Sequence, residues 1–343
     1  MNIRDRRGIH RAAGQSLENA KGDPGKILLI YLGIVTALSL VVAVASVLLS
    51  NRIADTGGLG NLGLRSVLST AKTVLPLVQS LVFLGLEMGH TTMALRISRG
   101  ESVSKDTLFG GFRRFFPLLR ARLSLGFIYM GLAMVSLYLS VYLFLMLPAS
   151  TEFYSIMTPV MESISAQGGV VTQEAIMSLD QTALTAAYDA LIPMFLIFAL
   201  VFALVFVPAH YRYRMVTYRL IDHPRPGVLR ALFESRVMMR RNRFALFRLD
   251  LQLWWFYALQ VLITAVCFGD MLLPMFGITL PVSSTASYFL FLGLSLVLQF
   301  AGYYFCMNRV AVTYATAYGA LLPKEEEAQE PPKPAAVPWK DQY

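Results

Sequence analysis

Six long apolar segments alternate with polar segments along the chain. They cover residues 27–49, 73–95, 123–147, 190–208, 251–274 and 286–307. About 20 apolar residues in a helix cross the hydrocarbon core of a bilayer, and a helix satisfies its backbone hydrogen bonds internally. The pattern therefore predicts an all-α polytopic membrane protein with six transmembrane helices, and residues 27–322 are expected to form one membrane domain. We place the end of the fourth segment at Pro208, because His210, Tyr211 and Arg212 follow it.

The composition excludes an ordinary soluble protein. Of the 343 residues, 56% are hydrophobic and 15% are charged, and the mean hydropathy is +0.55. A soluble domain carries about 25% charged residues. The two cysteines, Cys267 and Cys306, fall inside apolar segments, so no disulfide framework is expected.

The distribution of cations predicts the orientation. Of the 30 Lys and Arg residues, 27 lie in alternate polar segments, and only Arg52, Arg65 and Lys72 lie in the others. Since cytoplasmic loops carry the excess of cations, we expect both termini in the cytoplasm. The net charge of +9 does not indicate nucleic-acid binding, because these cations are tethered at the membrane.

Two polar segments differ from the rest. The outer segment 148–189 contains no Lys or Arg but carries five acids, and it is expected to form one or two short helices; the acids are Glu152, Glu162, Glu174, Asp180 and Asp189. Residues 323–343 are rich in Lys, Glu and Pro, which predicts a disordered cytoplasmic tail.

A basic amphipathic stretch precedes the first, third and fifth spans, at residues 7–21, 108–122 and 228–241. The first belongs to a cytoplasmic basic amphipathic segment, residues 1–26. We expect these stretches to form cytoplasmic interfacial helices. Three units of interfacial helix plus membrane hairpin would constitute an internal repeat, although few letters match between them.

The stretch 228–241 has the clearest pattern. Pro224 and Pro226 mark its start, and we predict its end at Asn242 in a left-handed conformation. Helical spacing places the following residues on one side: Leu229, Leu232, Phe233, Arg236 and Val237. Its cations are candidate ligands of anionic lipid headgroups: Arg230, Arg236, Arg240, Arg241 and Arg243. The alternative is ordinary positive-inside charge followed by an aromatic belt.

The second span carries a polar stripe that includes Gln79, Glu87 and His90. Ionisable groups at membrane depth are costly and normally face protein or water. The stripe therefore predicts either a polar pair of Glu87 and His90, buried between helices or placed near the inner interface, or a path for a proton or small solute. A di-iron centre needs two copies of Glu-x-x-His, and this chain has one, so no metal site is expected.

The basic stretch and its continuation, RALFESRVMM at 230–239 and NRFALFRLDL at 242–251, resemble the bacterial integral-membrane family catalogued as domain of unknown function 975. Three other regions are similar to that family; they are NAKGD at 19–23 with Lys26, LRISRGE at 95–101 with LFGGF at 108–112, and YATAYGAL at 314–321. The resemblance implies a multi-span protein of bacteria and supplies no activity. Arg241 stands where the family usually has glycine, and the outer segment is longer than expected.

No motif indicates catalysis or a cofactor. GLGNLG at 58–63 matches the dinucleotide fingerprint in letters but lies in a short loop between two spans, whereas the fingerprint requires a βαβ unit. We therefore predict a non-enzymatic, cofactor-free protein of the bacterial cytoplasmic membrane that is envelope-associated or contacts membrane lipids, including anionic ones. The alternative is a transporter or channel that uses the stripe of span two.

Overall fold

A computed structural model describes residues 3, 5–55, 62–166, 181–223, 227–275, 278 and 284–322. The regular elements of these residues are helical. They are α1 (Arg6–Glu18), α2 (Pro24–Asp55), α3 (Leu62–Ser98), α4 (Lys105–Phe109), a 3₁₀ turn (Gly110–Arg114), α5 (Phe115–Leu145), α6 (Pro148–Ala166), α7 (Gln181–Tyr213), α8 (Val216–Asp222), α9 (Gly227–Met239), α10 (Arg243–Gln252), α11 (Trp254–Cys267), α12 (Gly269–Met275) and α13 (Ser284–Gly319).

Five helices are long and apolar enough to cross a membrane: α2, α3, α5, α7 and α13. They coincide with five of the six predicted spans, which confirms an all-α polytopic membrane protein. Their exposed side chains are largely apolar, as at Phe127 and Tyr138 on α5. Such surfaces are stable against lipid but not against water.

The predicted fifth span is not one continuous helix. α10 and α11 meet at Leu253 with a bend of 66°, and together they form one further candidate span. α11 has 14 residues, which corresponds to about 21 Å and is shorter than the hydrocarbon core. The chain then breaks again at Phe268, before α12. Apolar composition predicted this segment but not its two breaks.

Two other boundaries differ from expectation. α7 continues through Pro208 to Tyr213, so this proline does not end the helix. In the outer segment α6 is one helix of 19 residues, and residues 167–180 lie outside the described part. The glycine-rich motif is described only from Leu62 onward, and the predicted tail at 323–343 is not described.

Two of the three predicted amphipathic stretches form separate helices. α1 buries Ile9 and Ala13 and packs against α13, and α9 forms at the third stretch. The second stretch is divided between α4, the 3₁₀ turn and the first turns of α5. The predicted repeat of helix plus hairpin therefore does not extend to this stretch.

The chain divides into two compact units. Unit 1 comprises Met1–Ala121 and Met215–Tyr343, and unit 2 comprises Arg122–Arg214. In unit 1, α13 packs against α1, α2, α3 and α11, while α2 packs along α3. In unit 2, α6 packs against α7, and the Tyr129 ring of α5 lies 5.0 Å from the Phe206 ring of α7.

A close backbone approach fixes the connection after α3. Gly85 and Gly89 lie one helical turn apart on α3, and the chain at Leu108 and Gly111 rests directly on them. A Cβ atom at Gly89 would collide with the Leu108 carbonyl, and one at Gly111 would collide with the Gly85 carbonyl. The absence of a Cβ atom at these positions therefore allows the 3₁₀ turn to approach α3 closely.

Candidate functional site

The candidate site is the basic end of unit 1, which we define as the surface formed by α1, α4, α8, α9 and α10. Within it, α9 has two distinct sides. Ala231, Leu232, Ser235 and Met239 are buried against protein, whereas Leu229, Phe233 and Val237 are 80%, 64% and 57% exposed. These three follow the i, i+4, i+8 spacing of one helical stripe. Leu232, predicted on the same side, belongs instead to the protein-facing side.

Four of the five candidate headgroup ligands are exposed along or just after α9: Arg230, Arg236, Arg240 and Arg241. Arg230 is engaged, since its Nε donates to Glu234 Oε1 at 2.9 Å. Arg243 differs, because its Nε is buried and has no hydrogen-bond partner within the described residues. The structure thus brings four of these cations to one surface and turns the fifth partly inward.

Glu234 fixes α9 to α8. Arg219 of α8 is nearly buried, and its guanidinium lies 2.8 Å from the Glu234 carboxylate. Burial alone would raise the pKa of Glu234, but the hydrogen bonds and charges of Arg219 and Arg230 outweigh it and hold the pKa below its ordinary value. Sequence reasoning missed Arg219; the signal was a cation inside the short apolar run VTYRLID.

α8 is also fixed to α3. Arg99, at the end of α3, lies 2.6 Å from the Asp222 carboxylate. Together with the Arg219–Glu234 pair, this contact sets the position of α9 relative to the membrane-spanning helix α3. Ion pairs of this kind add little to the free energy of folding, and their main effect is to fix the position of the helices that they join.

A buried polar chain joins the bent pair to α13. Tyr314 donates to Asp250 Oδ1 at 2.6 Å, and the Tyr257 hydroxyl lies 2.8 Å from the Tyr314 hydroxyl. Because the Tyr314 proton is used toward Asp250, Tyr257 is the donor in the second bond. The chain links α10, α13 and α11 next to the break at Leu253.

The polar stripe of α3 is divided among separate environments. His90 is 3% exposed, and its Nε2 lies 3.0 Å from Asn308 Oδ1. The Asn308 amide in turn donates to the Pro24 carbonyl at 3.1 Å. Gln79 donates to Ser39 Oγ at 3.1 Å. These bonds satisfy His90 and Gln79 between α3 and its neighbouring helices.

Glu87 is exposed rather than buried beside His90. The Tyr31 ring of α2 lies 5.4 Å from the His90 ring. Of the predicted pair, His90 is buried and Glu87 is exposed. Burial between helices is therefore wrong for Glu87, and the alternative placement of the pair near the inner interface stays a prediction.

The stop of α9 differs from the predicted left-handed cap. Asn242 has φ −115°, and its side-chain amide donates to the Met238 carbonyl at 3.0 Å. The side chain satisfies a carbonyl that the end of the helix leaves open. Arg241, which stands where the family usually has glycine, therefore needs no special backbone conformation.

No group of three metal-ligating side chains occurs among the residues that the structure describes. No curated protein and no solved structure matches the chain. A family model described as "Protein of unknown function (DUF975)" matches residues 1–295. The chain belongs to this family.

The stretches that resemble DUF975 converge in unit 1. The Val103 amide donates to the Lys21 carbonyl at 2.9 Å, which brings NAKGD at 19–23 next to the chain after LRISRGE. Gly22 has φ +118°, and a Cβ atom there would collide with the Val103 carbonyl. The stretch 314–321 lies beyond the matched residues, yet Tyr314 contacts Asp250 inside the 242–251 stretch.

Proposed function

We propose that this DUF975 member is a non-enzymatic, multi-pass protein of the bacterial cytoplasmic membrane whose basic end contacts anionic lipid headgroups. In this arrangement both termini are cytoplasmic. The observation that supports the proposal is the exposed stripe of Leu229, Phe233 and Val237 on α9, with cations beside it. α9 would lie in the interface plane of the membrane.

The apolar stripe supports membrane contact because α9 already has a protein-facing side. The stripe is therefore not part of the core of unit 1. Burying one such side chain is worth about 1.5–3 kcal/mol, so three exposed ones in a row are costly in water. Insertion of this side into the acyl boundary removes that cost.

The cations supply the preference for lipid charge. Arg236, Arg240 and Arg241 are exposed at the end of α9, from where guanidinium groups can bind phosphates in a bidentate manner. Each cation near an acidic leaflet contributes about 1 kcal/mol, and this contribution falls with rising salt. Arg230 contributes less under this proposal, because Glu234 neutralises it.

The test uses the full-length protein in neutral detergent with added lipid. Phosphatidylglycerol should raise the melting temperature more than phosphatidylcholine does, and the difference should shrink between about 0.05 M and about 0.5 M salt. Replacing Arg236, Arg240 and Arg241 together by Gln should remove most of the difference. The matched control replaces Arg52, Arg65 and Lys72 by Gln, which removes the same charge elsewhere. Equal stabilisation by both lipids at low salt would exclude the proposal.

The alternative function, transport of protons or a small solute along α3, is favoured by one observation, the exposed carboxylate of Glu87. His90 and Gln79 do not add to it, because both are bonded between helices. Proteoliposomes containing the wild type and Glu87→Gln distinguish the two functions. Lipid contact predicts no proton flux above empty liposomes in either; flux in the wild type that Glu87→Gln abolishes would establish transport instead.

A further inference from the structure

A pocket of about 440 Å³ opens at the basic end, separate from the exposed side of α9. Three elements of unit 1 form it. α1 contributes Arg7, His10 and Arg11, the junction of α10 and α11 contributes Gln252 and Trp255, and α13 contributes Arg309. Its volume lies within the range of about 300–1,000 Å³ that is usual for small-ligand sites.

The pocket is strongly cationic and lacks a counter-charge. Three of its lining residues are arginines and none is an acid. No carboxylate in the described part of the chain lies within ion-pair distance of Arg7, Arg11 or Arg309. All three arginines are solvent-exposed, and a cluster of cations attracts an anion.

The side chains of His10 and Gln252 lie beside each other in the pocket. His10 Nε2 and Gln252 Oε1 are shielded from solvent, and the contact between the two side chains falls short of a well-formed hydrogen bond. The amide of Gln252 can be turned to present either its oxygen or its NH₂ group, so both residues can bond to the oxygens of one ligand.

The break at Leu253 adds backbone donors at the same place. Leu253 is the N-cap of α11, and its side chain cannot accept a bond from the first amides of the helix. The first turn of a helix presents free N–H groups and a partial positive charge, which favour an anion. Leu253 and Trp255, at this helix start, both line the pocket.

We propose that this pocket binds a phosphate group. Arginine guanidiniums pair with two phosphate oxygens at once, and His10 and Gln252 complete the set of polar partners. The site goes beyond the contact of α9 with lipid and does not depend on it. The same chemistry would accept the phosphate of a lipid headgroup or that of a soluble phosphate ester.

The full-length protein provides a local probe. It contains three tryptophans, so Trp254→Phe with Trp339→Phe leaves Trp255, which lines the pocket, as the only one. Its fluorescence is titrated with inorganic phosphate, glycerol 3-phosphate, dihexanoyl phosphatidic acid and dihexanoyl phosphatidylcholine. We expect a saturable change with at least one of the first three probes, and none of comparable affinity with phosphatidylcholine.

Variants assign the binding to the pocket. Replacing Arg7, Arg11 and Arg309 together by Gln should raise the Kd at least about tenfold, whereas the control that replaces Arg52, Arg65 and Lys72 by Gln should not change it. If the triple variant does not fold, Arg309→Gln alone should still weaken binding severalfold.

The probes also distinguish the source of the phosphate. A Kd for phosphatidic acid at least about tenfold below that of glycerol 3-phosphate identifies a lipid headgroup, and equal values identify a soluble phosphate. The proposal is overturned if no phosphate probe gives a saturable signal, if phosphatidylcholine binds as tightly, or if the control variant loses as much affinity as the pocket variant. None of these results depends on the stabilisation by phosphatidylglycerol that tests α9.

Discussion

His90 and Asn308 are hydrogen-bonded at 3.0 Å across 218 positions of sequence. Asn308 donates from its amide nitrogen to the Pro24 carbonyl, so its oxygen accepts the proton of His90 Nε2. Both side chains are buried, and together they join α3 to α2 and α13. This polar contact fixes α2, α3 and α13 in one arrangement.

Removing either partner should destabilise the protein, because the other is left buried without its bond. We expect His90→Leu and Asn308→Leu each to lower the free energy of unfolding by about 1–3 kcal/mol. The double variant should lose less than the sum of the two by at least about 0.5 kcal/mol. Unfolding in mixed detergent micelles measures this, and strictly additive losses would show that the two side chains do not interact.

Gly89→Ala should be more damaging than its size suggests. Its new methyl group would meet the backbone of Leu108, which cannot yield as a flexible side chain can, and overpacking of this kind costs about 1–3 kcal/mol. Gly33→Ala on α2 is the control, since a Cβ atom there meets nothing within 4 Å. Thermal unfolding of both variants in detergent measures the difference, and we expect the lower melting temperature for Gly89→Ala. Equal melting temperatures would contradict the close approach.

His10 should make stability depend on pH. Burial, followed by the charge of Arg309, lowers the pKa of His10 below its ordinary value of 6.5, and the neighbouring Gln252 opposes this shift only in part. Arg7 and Arg11 are the other charged groups in the same pocket. Because the folded state disfavours the protonated form, the contribution of neutral His10 is complete above about pH 6.5 and is lost as the pH falls below it.

The melting temperature measured from pH 8 down to pH 5 tests the role of His10. In phosphate-free buffer the melting temperature of the wild type should fall further over this range than that of His10→Gln, since glutamine does not titrate. Parallel curves for the two proteins would assign the pH dependence to other groups.

The orientation is tested by labelling in a background without Cys267 and Cys306. From the cation distribution we predict residue 170 outside and residue 330 in the cytoplasm. An impermeant thiol reagent added to spheroplasts should therefore label Val170→Cys and leave Glu330→Cys unlabelled until the cells are lysed. The reverse pattern would invert the topology and move the basic end to the outside.

The class of the protein, its family and the positions of its apolar segments can be read from the amino-acid sequence alone. These properties are local: about 20 apolar residues exclude water along their own length, whatever the rest of the chain does. The same holds for the stretch 228–241, where the cations and the apolar spacing lie close together in sequence. Hence five of the predicted spans coincide with long helices, at α2, α3, α5, α7 and α13.

Which side chains meet depends on how the helices pack against one another. Helical periodicity places Glu87 and His90 on one side of α3, but whether that side faces Asn308 or solvent depends on the packing of α2 and α13. Next to the bend at Leu253, the hydrogen bond from Tyr314 to Asp250 likewise joins two helices that are distant in sequence. The pocket of Arg7, Gln252 and Arg309 likewise requires three segments that are remote in sequence, and their proximity follows from the packing of helices rather than from any single helix.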